Sequence, residues 1–447
     1  MKLSEIQLFK VLLVQEIRTL LISPALWMLL IILSFLVGYS FIQAVELFSQ
    51  ASRTAISYPE LARGMNPLEG VFVPTFGAYY LIETLLLPFI IIRLIGQDKQ
   101  NGTLKLLLQL PVSVFFLHTT KLSALVIVWL LVMLPGISVI VSWELLGGSI
   151  YLPQILTLFL GHALYTLVIT CIAMLATVLC SNLSTAAIIC LAVTLGSWVL
   201  DFSAHNGGWA EVLASISLTT LLRQFENGLL SSVSLIRFMA LSLLFFIAAS
   251  VLLHPGQSMR YKFTTVLTTM AVLVFIVSVA ALQPRYIDVT ESHKYSLNPA
   301  DERALKQMTE VLKITVHLSR EDGRLYDFEH GILGKLQRTM PNLKVVYVKT
   351  PSSGLFDAPE DGKYGLLEYE YAAEHAQSYS NNSREVLSLL YHMAGLKVVP
   401  DPVPDYKGHP LVADTCYIQW WFYLLLPLLF LSAAIWFRRQ DKQELIL

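Results

Sequence analysis

Charge is what this chain has least of. Asp, Glu, Lys and Arg make up 14% of its 447 residues, against roughly 25% in soluble proteins. A surface made from so few charges cannot be solvated all round. The 55% hydrophobic content therefore has to be covered by lipid. The net charge is −1 and there is no basic arm or tail, which excludes a general nucleic-acid binder. Cysteine is scarce too. Cys171, Cys180 and Cys190 lie in apolar runs and Cys416 at the edge of another. The long polar stretch has no second cysteine to pair with Cys416, so neither a disulfide framework nor a CxxC metal site is expected. The cysteines read as small hydrophobes packed among helices.

Catalytic motifs are missing as well. No G-x-x-x-x-G-K-[ST] occurs, so no loop of this chain would cradle nucleotide phosphates with its amides and a lysine. The glycine-rich spots "NGG" and "LGG" lack that lysine. There is no HExxH and no GxSxG. His317, His330, His375, His392 and His409 show no ligand spacing, and no metal is expected. No small-x-small site follows the first apolar run, which is read as a span rather than as a cleaved leader.

What the chain does have is apolar runs close to the ~20 residues that cross a bilayer. They fall near 25–45, 77–96, 122–143, 153–180, 184–200, 234–253, 263–283 and 417–437. With the N-terminus inside, the short inner segments carry Lys2, Lys10, Arg18, Arg93, Lys99, Lys105, Lys121, Arg260, Lys262, Arg438, Arg439 and Lys442. The short outer segments carry only Arg53, Arg63, Arg223 and Arg237. That bias obeys the positive-inside rule. It puts both ends in the cytoplasm and residues 284–416 outside it.

Between the spans, four stretches are informative. In residues 1–23, Ile6, Phe9, Leu13, Ile17 and Leu20 recur at helical spacing. This predicts an amphipathic helix on the inner membrane surface, the bland alternative being an extension of span 1. Residues 205–232 are neither a clean span nor a polar loop. The turn at Asn206-Gly207-Gly208 and the short helical run after it suggest a re-entrant pair of helices. Residues 284–416 have an α/β pattern: strands at 312–318, 343–349 and 365–371, helices at 326–340 and 383–395. Before them, Asn298-Pro299 followed by Asp301 and Glu302 opens a helix expected to run to about Leu312.

The fourth stretch is the inner loop "GQDKQNGTLKLLLQLPVSVFFLHTTK", residues 96–121. Thr103 is the expected N-cap of a short helix, Leu104, Leu107 and Leu108 its apolar face, Pro111 its end, and Lys121 the anchor of the return to the membrane. Such a helix either relays a push from a cytoplasmic partner or merely lies on the interface.

Here a resemblance enters. Asp98, Gly102, Thr103, Leu107, Leu108, Pro111, Val112, Ser113 and Lys121 resemble the coupling region of ABC-2 type transporter permeases: an acid, Gly-Thr, leucines, a Pro-Val-Ser step, then Lys. Asp stands for the usual Glu, and Thr120 where Gly often precedes the Lys. Phe225 and Gly228 in "LTTLLRQFENGLLS" are similar to an element ahead of that family's sixth span. The likeness covers residues 1–255 or so. "DVTESHKYSL", residues 288–297, resembles the first outer segment of gliding-motility-type auxiliary proteins through Asp288, Thr290, Lys294, Tyr295, Ser296 and Leu297, with His293 where Lys is usual. Residues 395–412 are similar to the end of the same domain, although the outer piece is much shorter than in that family.

The resemblance implies a polytopic all-α membrane bundle of the ABC-2, type V exporter kind with a small extracytoplasmic α/β domain. The boundaries are 1–23 interfacial helix, 24–255 six-span permease region, 256–283 seventh span, 284–416 outer domain, and 417–447 last span and tail. It implies a separate cytoplasmic ATPase, in two copies, that binds ATP and Mg and touches Asp98, Gly102, Thr103, Leu104, Leu107, Leu108 and Pro111. It further implies a second permease copy or related chain, an inner-membrane location, and export of a hydrophobic or amphipathic cargo.

Glu83, behind Tyr79 and Tyr80, is the one acid well inside a span. It either lines a pathway or dimer seam together with those tyrosines, or is an acid at the outer interface that reaches water. His162 is expected as a hydrogen-bonded core histidine, and Tyr79, Tyr80, Trp143, Trp420 and Trp421 as an aromatic belt. Two rival functions stay open. One is an assembly module whose outer domain docks a protein partner. The other is an ion-driven transporter, for which Glu83 and His162 are the only support.

Overall fold

The computed structural model describes residues 5–109, 112–201, 214, 216–318, 322–348, 363–372, 374–398 and 406–444. The chain divides into two compact units, Met1–Val289 with Lys407–Leu447, and Thr290–Tyr406. Pro111 and, of segment 205–232, residues 205–213 and 215 lie outside the described residues.

The first unit is membrane-embedded. Among the described residues, eight helical segments are long and apolar enough to cross a bilayer: spans 1 to 8 at Pro24–Ser57, Leu68–Gln100, Val114–Leu145, Leu152–Leu179, Leu183–Leu200, Ser232–Leu253, Met259–Leu282 and Cys416–Gln440. Several are longer than expected. Span 2 starts at Leu68 rather than near Gly77, because a π-turn at Leu68–Phe72 admits Pro74 into the first turn of the helix that follows. A second break at Leu86 lets Pro88 open its other half. Span 3 starts at Val114, where the Ser113 hydroxyl accepts the Phe116 N–H at 3.1 Å, and it breaks at Met133 ahead of Pro135. Proline lacks the N–H that would continue the ladder, so each of these helices restarts at its proline.

Span 1 shows how the bundle is held. Leu26, Leu30, Leu33, Val37, Phe41 and Val45 are fully or almost fully buried and recur at steps of three or four, one stripe of a helix. Gly38 sits in the same stripe against the Phe422 side chain of span 8. The Ser34 hydroxyl donates to the Phe422 carbonyl at 2.9 Å, beside the Phe41–Phe422 ring contact. Further out, the Leu411 and Ala413 amides donate to Ser52 and Ser49 of span 1. Thus the approach to span 8 is threaded along span 1 before it enters the bundle. Span 4 is the most enclosed, with 72% of its apolar window buried, whereas span 7 has 6% and offers nearly all its surface to the surroundings.

The N-terminal helix, Glu5–Ile22, is separate from span 1, with Ser23 between them. Phe9 meets Phe116 edge-on at 5.8 Å, Leu13 and Ile17 pack on the core, and Leu20 is buried. Ile6 does not join this stripe and is 70% exposed. Trp143 and Tyr79 are not belt residues, since both are completely buried; Trp143 packs on Phe48 and Phe72.

The second unit carries a four-stranded sheet in the order β4-β3-β5-β6, with β3 Leu312–Val316, β4 Leu343–Tyr347, β5 Leu367–Tyr371 and β6 Glu374–Ser378. β3 and β4 are parallel and the other pairs antiparallel. Leu312, Ile314 and Val316 alternate into a core with Phe328, Leu336, Tyr369, Val386 and Leu390. The helix from Pro299 ends at Gln307, short of Leu312, which already belongs to β3. The crossover helix is broken at Gly331 into 323–328 and 334–339 pieces. β6 was not anticipated. Its sequence, Glu-His-Ala-Gln-Ser, carries no strand preference, and it forms because Ala372, at φ 52°, turns the chain back along β5.

Two outcomes test this packing. Gly38→Ala sets a methyl against Phe422, an overpacking worth about 1–3 kcal/mol, and should lower the unfolding midpoint of the detergent-purified chain. In the second unit, hydrogen bonding by Arg324 above all holds the Asp322 carboxyl low, at about 2, with Tyr364 adding a bond at 3.0 Å. The resulting stability is complete above the unfolded value of 3.8 and vanishes as pH falls through about 2. The advantage of wild type over Asp322→Asn, read by acid titration of near-UV circular dichroism, should disappear over that window.

Candidate functional site

Among the described residues of the membrane unit, charged side chains are buried in two groups. The first roots the loop between spans 2 and 3. Lys121 is 3% exposed, and its ammonium lies 2.6 Å from Glu16 and 2.5 Å from Asp98. These partners come from the N-terminal helix, from span 2 and from span 3. Lys121 is therefore no interfacial anchor but the centre of a three-helix ion cluster. The next residue along, Lys99, donates to the carbonyls of Thr177, Val178 and Cys180 at 3.2, 3.1 and 2.7 Å. These lie at the C-terminal end of span 4, where carbonyls have no partner within the helix. Neighbouring residues Asp98 and Lys99 thus fasten one end of span 2 to three other elements.

The loop helix leaves from this root. Gly102 takes φ 77°, a left-handed turn that suits glycine. It is the N-cap of the helix Thr103–Leu107, so Thr103 is the first helical residue and not the cap. Leu104 is buried, Leu107 and Leu108 are half-buried, and Leu106 is 65% exposed. The apolar face expected from spacing exists, and one leucine is left over on the outside.

The second group joins spans 2 and 4 to the helix Leu218–Glu226. Glu83 is wholly buried, so it is not an acid reaching water at an interface. Span 2 begins earlier than its hydropathy suggests, which places Glu83 well inside it. Its Oε2 lies 2.9 Å from His162 Nδ1. His162 Nε2 lies 3.4 Å from Glu226 Oε1, an ion-pair distance without hydrogen-bond alignment. Glu226 Oε2 in turn is 3.3 Å from the guanidinium of Arg223, which is 58% exposed. Around this line, the rings of Phe76 and Tyr79 pack on His162, Tyr80 bonds Thr219 at 3.2 Å, and Tyr165 bonds Thr84 at 2.6 Å. Tyr79 itself is used structurally: its hydroxyl donates to the Val132 carbonyl and accepts the Gly136 amide. Tyr79, Tyr80 and Glu83 are thus brought together, with their hydroxyls and carboxylate engaged by neighbouring helices.

Glu226 was not singled out from sequence, although a signal was there. It lies four residues after Leu222 and seven after Thr219, on the buried face of its helix. Glu16 was likewise not singled out: it lies within the apolar spacing of Leu13, Ile17 and Leu20.

The auxiliary-type residues build a turn. Asp288 belongs to β2, Tyr286–Asp288, where it pairs with Leu229 of β1, Leu229–Ser231. Thr290 is buried, and its hydroxyl accepts the Lys294 amide at 3.0 Å. His293 takes φ 49°, Lys294 lies over the Tyr295 ring, and Arg338 donates to the Tyr295 carbonyl at 2.5 Å. These contacts position the chain. Among the described residues no group of three or more His, Cys, Asp or Glu side chains could hold a metal ion. Comparison of the chain with family profiles, with curated proteins and with solved structures gave no match.

A lysine between two acids is tightly bound, and removing it leaves both anions uncompensated. Breaking a buried pair in this way costs about 3–5 kcal/mol. Lys121→Met should therefore lower the unfolding midpoint well beyond Glu16→Gln or Asp98→Asn, and adding both acid substitutions to Lys121→Met should restore part of the loss.

Proposed function

We propose that this chain is the membrane subunit of an ATP-driven exporter of the ABC-2 type. The observation that carries the reading is the ion cluster Glu16–Lys121–Asp98 at the root of the loop helix. A push on Thr103–Leu107 meets a rigid root shared by the N-terminal helix, span 2 and span 3, so it moves spans instead of bending a loop. Exposed Leu106 and the half-buried Leu107 and Leu108 offer an apolar foothold. In this reading two cytoplasmic ATPase subunits, binding ATP and Mg, grip that foothold, and a second permease copy completes the pathway. Both chain ends lie in the cytoplasm of a cell bounded by its inner membrane. The nucleotide cycle and the pathway are then two sites coupled through rigid elements. A hydrophobic or amphipathic cargo suits the apolar spans.

The second reading, an assembly module, draws on the compact second unit. It has its own core, and an open groove of about 620 Å³ runs between β6 and the helix Ser383–Met393, lined by His375, Arg384, Glu385 and His392. Deleting 290–412 separates the two: loss of partner capture with export retained favours the module.

The exporter reading predicts two results. Gly102→Pro cannot adopt φ 77°, and should abolish stimulation of the partner ATPase while membrane insertion stays normal. A thiol at Leu106 should be silent to an impermeant maleimide in whole cells and react once the membrane is opened. Unchanged stimulation, or labelling of intact cells, would refute it.

A further inference from the structure

The line Arg223–Glu226–His162–Glu83 runs from an exposed guanidinium to a wholly buried carboxylate. Export driven by a partner's ATP makes no use of it, and packing alone does not need it. Ionisable groups inside a bilayer are expensive and need a reason.

The reason is in the charge count. A neutral imidazole has one N–H and one bare nitrogen. Here each ring nitrogen faces a carboxylate, Glu83 at 2.9 Å and Glu226 at 3.4 Å. A neutral ring would turn its lone pair on one of these anions. With a proton on both nitrogens, two carboxylates face one imidazolium and one guanidinium, and the four charges cancel. Without it, one uncompensated negative charge stays among side chains 0–2% exposed. One Glu83 oxygen has no hydrogen-bond partner among the described residues, so nothing else there relieves that charge. Tyr79, Tyr80 and Tyr165 are the nearby hydroxyls. Among the described side chains of the other spans packed on span 4, span 6 carries Arg237, which is engaged elsewhere, in part with Tyr286, and span 5 carries Cys190. His118 and Lys121 of span 3 are taken up by Ser250 and by Glu16 and Asp98.

We infer that Glu83, His162 and Glu226 form a proton-binding site inside the membrane unit, entered past Arg223, whose occupancy fastens the helix Leu218–Glu226 to spans 2 and 4. The ligand is a single proton taken from water on the side where Arg223 emerges. Its departure leaves Glu83 and Glu226 facing a neutral ring, and the helix loses its ionic hold while keeping the Tyr80–Thr219 bond. The site is a property of this chain alone and stands whether or not an ATPase drives it.

The test uses the full chain in lipid nanodiscs, labelled with ¹⁵N-histidine. His162 is identified as the resonance absent from His162→Gln and displaced in Glu226→Gln. At neutral pH both ring nitrogens should be protonated, and the second proton should leave at lower pH in Glu226→Gln than in wild type. A ring carrying one proton at neutral pH overturns the inference, as does an unchanged titration in Glu226→Gln. Thermal unfolding gives an independent reading. A proton bound by the folded state stabilises below its titration and is lost as pH rises. Wild type should therefore lose midpoint on the alkaline side and His162→Gln should lack that part of the decline. Identical alkaline profiles would show that no proton is held there.

Discussion

A charge inside a low-dielectric bundle must find an opposite charge, and that partner has to come from another helix. Lys121 finds Glu16 and Asp98; His162 finds Glu83 and Glu226. The rest of the membrane unit depends on these meetings. Apolar stripes such as that of span 1 are buried in the bundle, but in lipid they carry little information about which helix goes where, because a tail packs on leucine about as well as a helix does. Buried ion pairs are selective, since a helix in the wrong register leaves a charge bare. Their net contribution to stability is modest next to the penalty for breaking them. They act here as registration marks among the N-terminal helix, spans 2, 3 and 4, and the helix Leu218–Glu226.

The two clusters differ in what they can do. Around Lys121 the chemistry is that of a rivet: an ammonium at short range to two carboxylates, closing the base of the loop helix. Around His162 the central group is an imidazole, whose charge can change near neutral pH as an ammonium's does not. One site is suited to passing force without yielding. The other is suited to holding a helix conditionally. Span 2 carries Asp98 and Glu83, so it belongs to both, and its breaks at Leu86 and at the π-turn Leu68–Phe72 flank Glu83. Local irregularity of this kind is common where a helix serves a function.

The second unit follows other rules. Its sheet is built by alternation, and its entry turn uses Thr290 and Tyr295 for hydrogen bonds, with Lys294 over the Tyr295 ring. An open groove lies on the side of β6 beside the helix Ser383–Met393.

Much of the architecture was legible in the residues themselves. Runs of apolar side chains near bilayer length mark the eight spans, because hydrophobicity summed over a window needs no knowledge of neighbours. The separate N-terminal helix, the short leucine-faced loop helix and the strands β3 and β4 with the helix between them were legible for the same reason: period and turn residues are local. The ends of spans 2 and 3 were not. Pro74 looks like a stop ahead of span 2 and Lys121 like the limit of span 3, and only packing shows that the helices begin before them. Nor was β6, which exists because β5 offers it an edge.

The amino-acid sequence by itself settled that this is a membrane protein and how many times its helices can cross. Which acids and bases are buried, and which of them meet, was decided by the tertiary structure alone. Glu16 and Lys121, like Glu83 and His162, are far apart along the chain. Pairing across such a distance is set by how helices pack, and no spacing rule within one helix can report it.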